Sequence, residues 1–518
     1  MRNKLLENCT LADLSQSNLV HLRCTLDYAG NLRIDLNSAL PIYRQVADGI
    51  AGLISNGMLR AGARLPATRE LAGLIGLNRT TISAAYSALE EAGLIVGHVG
   101  RGSFVAGPSE PPPHGFDWNA FLPEPEATGI IRGARNVEIS FANSRPSREG
   151  FPVEEFRRFT KQVVESNEAS EILQLGSPLG YAPLRRYLLA EGMSEGVAGS
   201  DDDVIVTNGC QQALDLIARS LVRPGTGVIV EDPVYHGLLN VFRRAGGKLL
   251  PVPVDRLGMI PGALEQALER ERPKLVVVTP SFQNPTGVSL PIERRQQILT
   301  LVQNAGALLI ENDIYSELRY TGEQLTRLKK LDTSGSTVLL RSYSKIAFPG
   351  LRVGWVIAPR PFIGRLAQEK QTSDLHSDQL SQAVLLRFAE SGELAKHLER
   401  TRVAGGLRLQ AAVEGCREFM PSGTRCTRPE GGMNLWVDMP APLSADRLLA
   451  RTIPYGVDFL PASYFSSNPA HSGGLRICFG GLAPETIRDG LKIIGDVARA
   501  ELLRSKSAAS YEPAAALV

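Results

Sequence analysis

Apolar and polar residues follow three different patterns along the chain. Between residues 41 and 105, apolar side chains recur every three or four positions, as in short amphipathic helices. From about residue 136 to residue 500, short continuous apolar runs alternate with helical stretches, which is typical of an α/β unit. A proline-rich segment separates the two. We therefore predict an arm at 1–37, a small domain at 38–107, a linker at 108–135, a large domain at 136–500 and a flexible tail at 501–518.

The small domain is predicted to contain three helices and a β-hairpin. The first helix has helical spacing of apolar residues from Tyr43 to Ile54. The second is short, with Thr68 as its N-cap, and the third begins near Asn78. Two short strands then flank a turn that contains glycine. This order favours a winged helix-turn-helix, although a small helical interaction domain with solvated arginines is the alternative.

The third helix carries the residues expected to meet DNA. In a winged helix-turn-helix this helix enters the major groove with its first residues facing the base edges. Arg79 can pair with a guanine edge, and the hydroxyls of Thr80 and Thr81 suit phosphates. Arg69 on the second helix and Arg101 in the hairpin turn are expected close to the DNA backbone.

Six continuous apolar runs predict the strands of a mostly parallel sheet that helices cover on both faces. The runs are residues 204–206, 227–230, 275–278, 307–310, 338–340 and 353–357. Ligands of such sheets bind beyond the carboxyl ends of the strands, so the polar residues at those ends are candidates for a site.

Three of these strand ends carry groups that suit an anionic, planar ligand. Gly209 opens a helix whose free amides can bind a phosphate, although a tight turn is the alternative. Tyr235 can stack on a planar ring, although it is as well explained as a core tyrosine. Asn284 lies in a turn next to a proline, where it can donate a hydrogen bond to an oxyanion, although a plain turn is the alternative.

The fourth strand end carries an acid. In an extended chain Asp313 and Tyr315 point to the same face, and a buried acid needs a partner such as a protonated ring nitrogen. Glu311 is the weaker candidate, because it lies one step deeper in the sheet.

The fifth strand end carries Lys345, ringed by small and hydroxyl residues. Desolvation lowers the pKa of a lysine, and a neutral amine can form a Schiff base. Ser342 adds a hydroxyl for a phosphate, and Arg352 can serve the same pocket. The alternative for this stretch is a strand, a turn and two solvated cations. Further on, Arg476 lies between apolar neighbours, where its planar fork suits a carboxylate. A salt bridge to a local acid is the alternative for Arg476.

Composition narrows the class of protein. A net charge of +2 gives no global argument for nucleic acid, so DNA binding must come from a local patch. Six scattered cysteines without a CxxC pair predict reduced thiols, a cytosolic chain and no metal cluster. The apolar runs are far shorter than the ~20 residues of a membrane span, and the first residues lack a signal-peptide core. We expect a cytoplasmic protein with no membrane contact.

Four segments of the small domain resemble the winged helix of GntR-type bacterial regulators. They are PIYRQ at 41–45, LPATRELA at 65–72, NRTTISAAY at 78–86 and EEAGLI at 90–95. The resemblance implies bacterial operator DNA as a partner. The contacts it implies are Arg69, Arg79, Thr80, Thr81, Gly100 and Arg101.

The large domain resembles fold-type-I aminotransferases over residues 136–500. Their cofactor, pyridoxal 5′-phosphate, has a phosphate, a ring, a phenolate oxygen, a ring nitrogen and an aldehyde, which the strand-end groups match. The resemblance implies that Lys345 bonds the aldehyde, that Asp313 bonds the ring nitrogen, and that Asn284 and Tyr315 bond the phenolate oxygen. It implies that Tyr235 stacks on the ring and that the phosphate is surrounded by Gly209, Cys210, Ser342 and Arg352. It also implies that Arg476 holds the carboxylate of an amino acid. Cys210 is a departure, since a hydroxyl or small residue is more usual there.

The combination of both domains resembles the MocR/GabR subfamily of GntR-type regulators. This implies a homodimer, two half-sites or direct repeats in the operator, and a small amine or amino-acid effector that displaces Lys345 as an external aldimine. Pyridoxal phosphate itself can instead be the signal. The competing class is a working aminotransferase with an accessory DNA-binding domain, and a purely structural DNA binder would need no cofactor.

Overall fold

The computed structural model describes residues 41–98, 102–107, 137–148, 150–466 and 468–509, together with positions 32, 34, 35, 38, 40, 121 and 122. The chain divides into two compact units, residues 1–126 and 127–518. This division falls inside the predicted linker at 108–135. Most of that linker, most of the predicted arm and the predicted DNA contacts Gly100 and Arg101 lie outside the described residues.

The first unit has the predicted three helices and hairpin. Its elements are α1 (Ile42–Ser55), α2 (Thr68–Ile75), α3 (Arg79–Glu91), β1 (Ile95–His98) and β2 (Gly102–Val105). The two strands pair antiparallel, and the helices enclose a core that includes Ile50, Leu71 and Ile82. The turn between α2 and α3 starts at Gly76, whose φ of 71° lies in the left-handed region that glycine tolerates best. The winged helix-turn-helix is confirmed.

The starts of α2 and α3 differ in how they are capped. Asn78 caps α3, its side-chain oxygen accepting a hydrogen bond from the Thr80 amide at 3.3 Å. Thr68, predicted as the cap of α2, is instead its first residue. The carboxylate of Glu70 accepts a hydrogen bond from the Ala67 amide at 3.4 Å, so an acid rather than a hydroxyl stabilises this end.

The second unit is built on an eight-stranded sheet. Its strands are β4 (Asp202–Thr207), β5 (Gly227–Asp232), β6 (Lys248–Asp255), β7 (Gly258–Met259), β8 (Leu275–Val278), β9 (Leu308–Asn312), β10 (Thr337–Ser342) and β11 (Gly354–Pro359). The strand order is β4-β11-β10-β9-β8-β5-β6-β7. Only β7 and β11 run antiparallel to their neighbours in this sheet, so the carboxyl ends of the other six strands lie at one edge.

Helices cover both faces of this sheet, because its strands are apolar on both sides. The short strand β3 (Ile139–Ser140) precedes these helices in the chain. The helices are α4 (Val153–Val164), α5 (Ala169–Ile172), α6 (Ala182–Glu195), α7 (Gly209–Leu221), α8 (His236–Arg244), α9 (Pro261–Glu271), α10 (Ile292–Asn304), α11 (Leu328–Leu331), α12 (Arg360–Ser373) and α13 (Gln379–Glu390). The predicted α/β unit is confirmed.

A smaller α+β part completes the second unit. Its elements are α14 (Glu393–Phe419), β12 (Arg425–Cys426), β13 (Asn434–Asp438), α15 (Ala445–Thr452), β14 (Val457–Asp458), β15 (Leu460–Pro461), β16 (Gly474–Cys478) and α16 (Pro484–Ala509). The antiparallel sheet has the order β12-β13-β16-β15, and α14 and α16 share its apolar core. Helix α16 continues to Ala509, nine residues past the predicted boundary at 500, so residues 501–509 are helical rather than a tail.

No helix within the described ranges is both long enough and apolar enough to cross a membrane.

Leu71→Ala tests the core of the first unit. Leu71 on α2 is fully buried, so its truncation is expected to destabilise the unit by about 2–5 kcal/mol. Leu74→Ala on the same helix is the matched control, because Leu74 is 42% exposed. Hydrogen exchange of the 41–107 backbone amides in the full chain should accelerate for Leu71→Ala and stay near wild type for the control. Equal exchange in both variants would contradict this core.

Candidate functional site

A cavity of about 370 Å³ lies at the carboxyl ends of the parallel strands. Eight of the ten residues predicted for the site of the large domain line it: Cys210, Tyr235, Asn284, Tyr315, Ser342, Lys345, Arg352 and Arg476. Gly209 and Asp313 are not among the lining residues. The cavity therefore brings most of the predicted groups together, and the two exceptions are explained by their surroundings.

Lys345 places its amine in this cavity. Its Nζ donates a hydrogen bond to the Ser144 carbonyl at 2.7 Å and lies 5.8 Å from the centre of the Tyr315 ring. No carboxylate in the described part of the chain pairs with Lys345 within 4.0 Å. The amine is thus held by a neutral acceptor and an aromatic face, an arrangement that leaves it free to react with a carbonyl.

The start of α7 forms a cradle for an anion. Gly209 has a φ of 76°, and a Cβ at this position would collide with the guanidinium of Arg352. Gly209 therefore acts through the absence of a side chain. The thiol of Cys210 donates to the Arg341 carbonyl at 3.3 Å, and burial raises its pKa to about 12. The neutral thiol leaves the backbone amides of α7 and Arg352 as the anion-binding groups.

Two serine hydroxyls close to this cradle have different hydrogen-bond partners. The Ser342 hydroxyl donates to the Val353 carbonyl at 2.9 Å and accepts from the Ser344 amide at 3.0 Å, so the backbone occupies it. The Ser344 hydroxyl lies 3.2 Å from Nη1 of Arg352 and also lines the cavity. Ser344 is a site residue that the sequence analysis missed, and its position directly before the lysine was the available signal.

Arg476 is buried without an acid. It is 3% exposed, its Nη1 donates to Oδ1 of Asn284 at 3.2 Å, and its Nη2 donates to the Ala142 carbonyl. Its Nε has no partner, and no carboxylate in the described residues lies within ion-pairing distance. Burial lowers the pKa of this guanidinium, yet arginine stays charged at neutral pH. The predicted alternative of a local salt bridge is absent among the described residues, and an anionic ligand would supply the missing charge.

Asp313, predicted to meet a ring nitrogen, is not among the residues that line the cavity. Its Oδ2 accepts hydrogen bonds from Nε of Arg327 at 2.6 Å and from the Ser316 hydroxyl at 2.8 Å. Burial acts to raise the pKa of Asp313, but Arg327 and Arg341 outweigh it and hold the pKa below its usual value. Oδ2 of Asp313 is thus ion-paired, its Oδ1 is buried without a partner among the described residues, and its predicted contact with a ring nitrogen stays a prediction.

Asp313 is absent from the lining because β9 ends one residue earlier than the alternation argument assumed. The last ladder residue is Asn312, and Tyr315 has left the extended conformation with a ψ of −12°. The alternation of faces therefore breaks, and Asn312 and Tyr315 both line the cavity. Asn312 is 6% exposed, its Nδ2 donates to Oγ1 of Thr279 at 3.3 Å, and its Oδ1 has no partner within the described structure.

Two buried acids lie behind the cavity without lining it. Glu231 accepts a hydrogen bond from the Thr279 amide at 3.1 Å, and burial raises its pKa to about 8. Glu311 accepts from the amides of Leu328 and Lys329 at 2.9 and 2.7 Å, and burial followed by the charge of Asp313 raises its pKa. Both carboxyls support the loops that carry the site rather than the site itself.

The predicted DNA contacts lie at the start of α3 and on α2. Arg69, Arg79 and Thr80 are exposed, and Thr81 is half-buried. Their side chains are therefore available in the first turns of the two helices that form the helix-turn-helix, as a groove-binding role requires.

Family models match both units. Residues 42–105 match the bacterial regulatory proteins of the gntR family, and residues 143–494 match aminotransferase class I and II. The protein is thus a DNA-binding transcriptional regulator with an aminotransferase-type domain. The chain is 30% identical over 474 residues to the probable rhizopine catabolism regulatory protein MocR of Rhizobium meliloti, a match that covers 89% of this chain and 94% of that protein. The chain belongs to this MocR type of gntR-family regulator.

The second unit alone is similar to enzymes. It is 36% identical over 371 residues to aromatic-amino-acid aminotransferase 1 of Thermococcus litoralis, which covers 70% of this chain and 88% of the enzyme. It also matches the crystal structure of LysN, the α-aminoadipate aminotransferase of Thermus thermophilus, complexed with N-(5′-phosphopyridoxyl)-L-leucine. That match has a TM-score of 0.68 and 32% identity, and covers 75% of this chain and all of the enzyme chain.

Pyridoxal phosphate, the cofactor of this aminotransferase family, fits the residues of the cavity. Lys345 would meet the aldehyde, and the cradle of Gly209, Ser344 and Arg352 would meet the phosphate. Asn312 also fits a polar ligand, because its buried side-chain amide has one atom without a partner in the described structure.

Glu231→Gln tests the buried acid behind the site. Because the pKa of Glu231 is raised from 4.5 to about 8, the folded state binds this proton more tightly than the unfolded chain. The free energy of unfolding is therefore expected to fall as pH rises between these two values. Glutamine has no proton to lose, so above about pH 8 the free energy of unfolding of the variant should exceed that of wild type by about 1–3 kcal/mol.

Urea unfolding of the second unit at several pH values measures this effect. Glu265→Gln on α9 is the control, since Glu265 is exposed and should leave the pH profile unchanged. If Glu231→Gln and wild type lose stability with the same pH slope, the carboxyl of Glu231 is charged in the folded protein and the argument is wrong.

Proposed function

We propose that the protein regulates transcription by sensing an amine that carries a carboxylate. The winged helix binds the operator, and the cavity of the second unit binds the effector. The observation that carries this proposal is Arg476, a buried cation that lines the same cavity as Lys345 and has no acid partner among the residues described. An α- or ω-amino acid has both groups that the cavity lacks, an amine for the cofactor and a carboxylate for the guanidinium.

Bound pyridoxal phosphate supplies an aldehyde with which a primary amine condenses. Lys345 is the amine of the chain that reaches this position, and an effector amine competes with it. Once released, the Lys345 amine has an acceptor within reach, because its Nζ already bonds the Ser144 carbonyl at 2.7 Å. Arg476 and Asn284 orient the effector. Residues 142–145 also line the cavity, so the exchange of the Lys345 amine for the effector amine would change their surroundings.

Regulation requires that the effector favours one arrangement of the chain over another. A coupling free energy of ~1–3 kcal/mol would change operator affinity by roughly 5–150-fold. We further propose a cytoplasmic homodimer whose two winged helices bind two half-sites or direct repeats, since a two-fold assembly presents two recognition helices. Binding of pyridoxal phosphate alone can set the state if no amine effector acts.

A second candidate is a working aminotransferase with an accessory DNA-binding unit. The 36% identity to the Thermococcus litoralis enzyme favours it. The two candidates differ in turnover: many cycles with an amino acid and a keto acid support the enzyme, whereas a single stable change in the absorption of bound cofactor supports the sensor.

Arg476→Gln tests the sensor. A panel of α-amino acids, ω-amino acids, taurine and a polyamine is screened for changes in cofactor absorption and in affinity for the intergenic DNA beside the gene. The variant should respond about 10–100-fold more weakly to any active carboxylate compound, because one charge-assisted pair contributes ~1.5–3 kcal/mol. Arg417→Gln, an exposed arginine on α14, is the control. An undiminished response in Arg476→Gln would contradict the assigned role.

Arg79→Ala tests the DNA-binding surface. Loss of a bidentate guanine contact is expected to weaken binding to the operator by about 1–3 kcal/mol and to relax discrimination at one base position. Arg69→Ala, which removes a phosphate contact, should weaken binding to all sequences and reduce the salt dependence. Arg244→Ala on α8 of the second unit serves as control. Unchanged affinity and specificity in Arg79→Ala would show that α3 does not enter the groove.

A further inference from the structure

The charged side chains that line the cavity are all cationic. Its lining includes four cationic side chains, those of Arg145, Lys345, Arg352 and Arg476, and no aspartate or glutamate among the described residues. Asp313, the residue after the lining Asn312, is not among the lining residues, and its Oδ2 is ion-paired with Arg327. Such a site binds anions readily, but it offers no carboxylate to a ligand atom that gains a proton.

The place of Asn312 relative to a bound cofactor can be inferred from the lysine and the phosphate cradle. Lys345 fixes where an aldehyde must lie, and the cradle at Arg352 fixes the phosphate. In pyridoxal phosphate the ring nitrogen is opposite the aldehyde carbon, so it points away from the lysine that follows β10. The next strands of the sheet are β9 and β8, whose carboxyl ends are therefore the candidates to meet it. The polar lining residues there are Thr279, next to β8, and Asn312, the last residue of β9.

The amide of Asn312 can serve a ring nitrogen in one of two orientations. As placed, Nδ2 donates to Thr279 at 3.3 Å and the buried Oδ1 is unpartnered. The oxygen and nitrogen of an amide are exchanged by a flip of the side chain. After the flip, Oδ1 accepts from the Thr279 hydroxyl, and Nδ2 is free to donate into the cavity. The flipped orientation satisfies both atoms when the ligand atom is an acceptor, as an unprotonated pyridine nitrogen is.

We propose that Asn312 binds the ring nitrogen of pyridoxal phosphate as a neutral hydrogen-bond donor, so that this site holds an effector amino acid without converting it efficiently. This inference rests on the proposed function and deepens it. The cofactor draws electrons from a bound amino acid most strongly when an acid keeps its ring nitrogen protonated. Asn312 cannot carry the charge that stabilises such a proton, and the surrounding cations oppose it.

The test uses the full-length protein loaded with pyridoxal phosphate that carries ¹⁵N in its ring. Solid-state ¹⁵N NMR of the wild type is expected to give the shift of a neutral pyridine, and Asn312→Asp the shift of a pyridinium. Asp313→Asn is the matched control at the neighbouring position, and its signal should stay neutral. A pyridinium signal in the wild type would overturn the inference, and this single measurement decides it even if a variant does not fold.

A second readout is the conversion of L-alanine in a single turnover. In that step the amino group passes to the cofactor, water supplies the carbonyl oxygen, and pyruvate is released. Asn312→Asp should form pyruvate about 10²-fold faster than wild type, the scale of one preorganised electrostatic contact. An equal rate in both proteins contradicts the inference. A wild type that retains no labelled cofactor refutes the proposed function as well, whereas retained cofactor with a pyridinium shift refutes only the role of Asn312.

Discussion

Burial of positive charge without negative charge is the constraint on which this structure depends. Arg476 is almost fully enclosed and finds only neutral acceptors, the Asn284 amide and the Ala142 carbonyl. A charge removed from water at this cost persists only if the surrounding fold holds it in place. The strand β16 supplies that rigidity, since it pairs on both sides in the smaller sheet. The fold therefore holds a buried cation that no carboxylate of the described residues pairs with.

A second group of charged side chains forms ion pairs within the protein. Arg327 contacts three acids, Asp313, Glu195 and Glu317, and Arg341 contacts the last two of these. This network joins α6 to the loop after β9 and to β10, the strand that leads to the lysine. Paired charges fix the position of the backbone, and the unpaired charges beside them are left for recognition.

Much of the molecule could be predicted from sequence, because its signals are local or periodic. Continuous apolar runs located the strands. Lys345 stood out by its place just past a strand end among small and hydroxyl residues, and Arg476 by its apolar neighbours. Asp313 does not line the cavity, because alternation of faces holds only while the chain stays extended, and β9 ends at Asn312. Likewise, the sequence could not tell that the Ser342 hydroxyl bonds the backbone while Ser344 faces the cavity, since that depends on side-chain rotation.

The amide at the end of β9 also has a genetic consequence. Every codon for asparagine becomes a codon for aspartate through one base substitution, so a switch between a receptor and a catalyst would need no rearrangement of the scaffold. Selection could then exchange the two behaviours within a lineage through a single point mutation at codon 312. The distance between gene regulation and metabolism would, at this position, be one nucleotide.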